Sequence, residues 1–126
     1  TTLAIKDGTL GIASSAFVNC DKLISVTIPD SVISIGSLAF NGCTSLTSVT
    51  IGNGVTSIGA YVFTNCSNLT SVKFNKTENW TCYKEGNEET LTSISSADLA
   101  NTSTAAEYFT SNYRAYYWKR SEQVDD

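Results

Sequence analysis

Three successive blocks of 23 residues carry one apolar signature, and this periodicity limits the folds open to the chain more than any other feature. The blocks read TTLAIKDGTLGIASSAFVNCDKL, ISVTIPDSVISIGSLAFNGCTSL and TSVTIGNGVTSIGAYVFTNCSNL, followed by a partial TSVKFNKTENW. The second and third agree at 11 of 23 positions without a gap. Leu3, Val26, Val49 and Val72 align, as do Ile5, Ile28, Ile51 and Phe74. The same register superposes Ile12, Ile35 and Ile58, then Phe17, Phe40 and Phe63, then Leu23, Leu46 and Leu69. One block is too short to bury these side chains alone, so neighbours must stack and share an interior.

Within a block the chemistry changes every few residues. Ser25-Val26-Thr27-Ile28 alternates polar and apolar, the period of a half-buried strand. Pro29-Asp30-Ser31 and Gly52-Asn53-Gly54 follow as turns. Val32 and Ile35, like Val55 and Ile58, form a second short inward-facing stretch. Gly36 or Gly59 then breaks the chain before Ala39-Phe40 or Val62-Phe63, read as a helical or 3₁₀ turn that drops a large ring inward. The expected architecture is a β-dominated solenoid of 23-residue coils. With strands about 4.8 Å apart, three coils make a slab roughly 15 Å thick.

Cys20, Cys43 and Cys66 share one phase of the repeat and are expected to form a cysteine ladder inside the stack. A free cysteine there acts as a small buried hydrophobe. A Cys20–Cys43 disulfide is sterically conceivable between adjacent coils, but it leaves Cys66 and Cys82 over. Zinc is disfavoured, because three thiols in a row are not tetrahedral and the chain has no His. No cofactor or metal is expected.

The missing His also removes the usual general base and the Ser-His and Cys-His pairs, so an enzyme has little to stand on. Net charge is −4 and the eight Lys and Arg are scattered, which argues against nucleic acid. No apolar run approaches a membrane span, so no membrane insertion is expected. Charged residues are only 16% while Ser and Thr number 34, so solubility rests on hydroxyls and amides, as in exported proteins. With no Met at position 1 the chain reads as a mature fragment, with further coils expected upstream.

The block Leu23-x-x-Val26-x-Ile28-Pro29-x-x-Val32-x-x-Ile35-Gly36-x-x-Ala39-Phe40-x-x-Cys43 resembles the leucine-rich repeats of the BspA-like (treponemal-type) surface proteins. It departs at Ala13, where that pattern has Gly, and at Val62, where it has Ala. The resemblance covers residues 1 to about 74, and residues 98–120 also look like the tail that closes some bacterial members. It implies an α/β-type leucine-rich repeat, a right-handed solenoid on a secreted or cell-surface protein. It also implies adhesion to host or neighbouring-cell partners, protein or glycan.

After Phe74 the repeat stops. Trp80 to Lys84 and Leu91 to Ser95 read as strands joined by a polar loop over residues 85–89. Asn101 or Thr102 caps a helix through about Asn112, and residues 114–120 form a short aromatic strand. The expected organisation is a solenoid over 1–74, a C-terminal capping region over 75–120 (hairpin, short helix, aromatic strand) and a frayed tail over 121–126. Nine of the 13 aromatics lie in Phe74–Trp118. They serve the cap, or else Tyr116, Tyr117 and Trp118 form an aromatic platform for sugar rings.

The expected ligand-binding surface is the outward strand face: Ser25, Ser48 and Ser71 in one row, Thr27, Thr50 and Lys73 in the next. Thr2–Ile5 would leave a raw edge, so the chain is expected to be a monomer or to associate weakly edge to edge. The function expected is a non-catalytic protein- or glycan-binding module of an adhesin-like protein. The alternative is a structural spacer holding another domain away from the cell, and an enzyme is the third and weakest reading.

Overall fold

Alternation places Val26 and Ile28, Val49 and Ile51, and Val72 and Phe74 on one side of short strands, and the chain stacks these strands in register. The computed structural model describes residues 2–84, 87–112 and 115–120. The repeat contributes β1 (Thr2–Ala4), β2 (Gly11–Ile12), β3 (Ser25–Ile28), β4 (Ser34–Ile35), β5 (Ser48–Ile51), β6 (Ser57–Ile58) and β7 (Ser71–Phe74). β1, β3, β5 and β7 form a parallel four-stranded sheet in which Ser25 pairs with Ser48 and Ser48 with Ser71. The shorter β2, β4 and β6 pair parallel in a second sheet, with Ile12 opposite Ile35 and Ile35 opposite Ile58.

Inward side chains of both sheets meet in one core. Val26, Ile28, Val32, Ile35, Leu46, Val49, Ile51, Val55 and Ile58 are all buried. Phe17, Phe40 and Phe63 stack with centroids 5.2 and 5.6 Å apart and nearly parallel rings. Like residues recur at like heights, so each side chain packs on its own kind.

The third side of each block, expected as a helical or 3₁₀ turn, is a run of single turns with i→i−3 hydrogen bonds and no continuous helix. Backbone N–H groups of Ala39, Asn41, Cys43 and Leu46 donate to the carbonyls three residues back. The run cannot become a helix because left-handed residues interrupt it: Ser15, Leu38 and Tyr61 at φ 60°, 63° and 60°, then Asn19, Gly42 and Asn65 at 59°, 78° and 62°. Asn and Gly suit that conformation, whereas Leu38 and Tyr61 occupy it against their intrinsic preference. In exchange, alternate N–H groups point along the stack: Phe17 N–H donates to Ala39 O at 2.8 Å and Phe40 N–H to Val62 O at 3.0 Å. The hydrogen-bond ladder thus continues where there is no strand.

Gly36 and Gly59 let successive blocks lie flush. A Cβ on Gly59 would come within 2.6 Å of Ser37 Cα, and one on Gly36 within 2.7 Å of Ser14 Cα. Their φ angles are ordinary, so the requirement is for space.

The C-terminal third adds β8 (Trp80–Lys84), β9 (Asn87–Ser93), α1 (Ser96–Ala100), α2 (Thr102–Glu107), a π-turn (Tyr108–Asn112) and β10 (Tyr117–Arg120). β10 joins the second sheet antiparallel, with Trp118 opposite Ile58, and β8 then β9 continue it. Arg120 ties this layer to the repeat: its guanidinium donates to Asn53 O at 2.7 Å and Val55 O at 3.3 Å. Phe74, Trp80, Phe109 and Trp118 pack over Phe63 and complete the core, the closest pair being Phe109 and Trp118 at 4.5 Å.

Boundaries differ from the expected ones in physical detail. β9 begins at Asn87 rather than Leu91, because pairing with β8 extends to Lys84 opposite Asn87. The expected single helix is preceded by α1, and Asn101 serves both: its N–H donates to Asp98 O, and its side-chain oxygen accepts from Ser103 and Thr104 N–H. The aromatic strand is Tyr117–Arg120. Arg114, much of the expected hairpin loop and the tail over 121–126 lie wholly or partly outside the described residues.

Candidate functional site

Pairing in the first sheet converts two sequence positions into two straight rows. Ser25, Ser48 and Ser71 pair side by side, and Thr27, Thr50 and Lys73 pair beside them. Thr27 and Lys73 are exposed and the other four half-buried. All six of the expected strand-face residues therefore lie together on one surface, which is hydroxylic with a single ammonium. A regular surface of this kind, with one charge at its end, favours contact spread over several strands rather than one anchoring pocket.

The aromatic trio is divided by the structure. Trp118 is 1% exposed and packs against Phe109, Phe74 and Trp80, so it belongs to the core and is no part of an exposed platform. Alternation along β10 turns its neighbour outward: Tyr117 is half-buried and stacks on Tyr83 of β8, centroids 5.6 Å apart. Tyr116 is also half-buried, with Lys84 Nζ 5.8 Å from its ring centre.

Tyr83 was not among the residues singled out from sequence. Its pairing with Tyr117 closes one end of a groove of about 470 Å³ on the outer face of the second sheet. Gly36 and Gly59 line this groove along with Ser34, Ser57, Ser14 and Ser37. The recurring glycine and serine phases were legible, but the aromatic end depends on a strand pairing between residues far apart in sequence.

The cysteines sit inside. Cys43, Cys66 and Cys82 are buried, Cys20 is half-buried, and all four are free thiols. Cys43 Sγ donates to Phe17 O at 3.3 Å and Cys66 Sγ to Phe40 O at 3.1 Å, so each thiol bonds to the preceding block. Loss of solvation on burial raises the Cys43 thiol and pushes Cys66 to about 12 and Cys82 to about 11. All three stay protonated at neutral pH, which suits filler and not a nucleophile. Among the described residues no cluster of three or more metal-ligating side chains occurs. No helix there is long and apolar enough to cross a membrane.

Comparison with known proteins agrees with this geometry. A solved leucine-rich repeat protein from T. pallidum superposes with a TM-score of 0.57 at 31% identity, over 60% of this chain and 38% of that one. The chain thus spans well under half the length of that protein. No curated protein sequence matches it. Residues 1–112 match the BspA type leucine-rich repeat region in six copies. Leucine-rich repeats of this kind are typically non-catalytic, surface-associated interaction modules. With strand-rich stacked repeats, parallel sheets and that match, the chain belongs to the BspA-type leucine-rich repeat family.

Proposed function

We propose that the chain is a non-catalytic binding module of a secreted or cell-surface adhesin-like protein, and that it recognises a host or neighbouring-cell protein or glycan through its strand face. The repeats form a right-handed solenoid of 23-residue coils over 1–74, and residues 75–120 cap its open end. The observation that carries the reading is the pair of registered rows: Ser25, Ser48 and Ser71 beside Thr27, Thr50 and Lys73. Such rows multiply one weak contact by the number of strands, the arithmetic of avidity. A partner of this face needs no cofactor and no membrane insertion.

Immobilised extracellular-matrix proteins test the proposal. The chain is expected to bind at least one, and Thr50→Lys with Ser48→Glu is expected to abolish that binding while far-UV circular dichroism stays unchanged. Binding that survives both substitutions would remove the strand face from the account. Absence of binding to every surface offered would favour the spacer role, in which the coils only hold a neighbouring domain at a distance.

A further inference from the structure

The groove on the opposite face has a chemistry of its own. None of the residues that line it is charged, although the chain carries a net charge of −4. Ser34 and Ser57, both exposed and paired across adjacent strands, form one wall. Ser14 and Ser37 stand on the other side, and between them Gly36 and Gly59 present bare backbone. One step along the antiparallel register that sets Trp118 opposite Ile58 brings Tyr117 beside Gly59, so no side chain intervenes between the Tyr117 ring and the groove.

This geometry selects among ligands. The groove runs across β4 and β6, whose N–H and C=O groups are engaged in ladder bonds with their neighbours. An extended peptide lying there would gain no main-chain pairing and would leave its own amides unpartnered. A cationic ligand would find no counter-ion on the walls, and the ammonium beside them, Lys119 opposite Ser57, already lies over the Tyr83 ring at 5.7 Å. A sugar ring presents hydroxyls at its rim and C–H groups on its face, and the groove offers serine hydroxyls at its rim and a tyrosine ring with glycine backbone for the face. Strand spacing of about 4.8 Å repeats the hydroxyls at close to the length of one sugar ring. The volume of about 470 Å³ falls within the range of small-ligand sites.

We infer that this groove binds a neutral oligosaccharide, with Tyr117, supported by Tyr83, as its stacking platform and Ser34 and Ser57 as hydrogen-bonding partners. The inference rests on the binding-module reading and adds to it a second, chemically distinct surface. Of the platform expected from sequence, Tyr116, Tyr117 and Trp118, this site keeps Tyr117, adds Tyr83 and loses Trp118 to the core.

The test probes a printed array of neutral and acidic oligosaccharides with the tagged chain, titrates the hits in solution, and runs matrix proteins in parallel. Binding to neutral oligosaccharides is expected, weakened about tenfold by Tyr117→Ala. Ser34→Trp, which adds bulk at an exposed position, should abolish it and keeps the test decisive if Tyr117→Ala fails to fold. Thr50→Lys should leave it unchanged. No neutral hit, hits confined to acidic sugars, or sugar binding indifferent to Ser34→Trp would each overturn the inference. If sugars fail while a matrix protein binds and Thr50→Lys removes it, the groove falls and the strand-face reading stands. If neither surface binds anything, both fall.

Discussion

Replacing Phe40 by Ala tests whether the repeats share one interior. Phe40 is fully buried and stacks on both sides, against Phe17 at 5.2 Å and Phe63 at 5.6 Å. Truncating a buried Phe costs about 3–5 kcal/mol, and each aromatic contact adds to the area term, so Phe40→Ala should sit near the top, about 4–5 kcal/mol. Among the described residues Phe17 stacks on Phe40 alone, and it is half-buried, so Phe17→Ala should cost about 2 kcal/mol. Urea unfolding followed by far-UV circular dichroism gives both values if the slopes agree with the parent's. A domain of this size holds roughly 5–15 kcal/mol, so Phe17→Ala should remain folded in water, and Phe40→Ala should fall close to the unfolding threshold if the parent lies at the low end. Equal losses from the two substitutions, or a loss below about 2 kcal/mol at Phe40, would refute a continuous ring stack.

Gly59→Ala should destabilise by about 1–3 kcal/mol in the same assay, because the added methyl meets the Ser37 backbone N and Cα as well as its hydroxyl, and the backbone atoms cannot swing aside. Leu38→Gly should raise the melting temperature slightly: it releases a left-handed residue worth about 1 kcal/mol and sacrifices a side chain that is already 38% exposed. Alkali should destabilise the fold through Cys66, whose thiol titrates near 9 when unfolded and about 12 when folded. Its contribution is intact below pH 9 and declines as pH rises toward 12, at about 1.4 kcal/mol per pH unit. Cys66→Ala should therefore flatten the stability profile between pH 9 and 11.

What the sequence made legible follows from which forces act locally. The rows of Val, Ile, Leu, Phe and Cys could be read because each recurs at a fixed phase, and a side chain that must point inward in one block must do so in the next. The backbone at Leu38 and Tyr61 could not: their residue types argue against φ near 60°, and the tertiary ladder between blocks overrides that preference. Asn19 and Asn65 carried the signal for the neighbouring left-handed position, as did Gly42. In the C-terminal third, the aromatic run suggested a strand over residues 114–120 but not its partner, so nothing distinguished buried Trp118 from outward Tyr117. The groove lined by Gly36, Gly59 and Tyr117 was hidden for the same reason, since a glycine phase acquires meaning only beside the strand it faces. The missed α1 is five residues long, with Leu99 as its one buried residue, too short to show a period.

Timed labelling with a water-soluble thiol reagent, read residue by residue by mass spectrometry under native conditions, bears most directly on the stacked interior. Cys43, Cys66 and Cys82 should stay unmodified for as long as the protein stays folded, half-buried Cys20 should react first, and all four should react at once in denaturant. Modification of Cys43 and Cys66 in the folded protein at the rate of unfolded thiols would contradict the account.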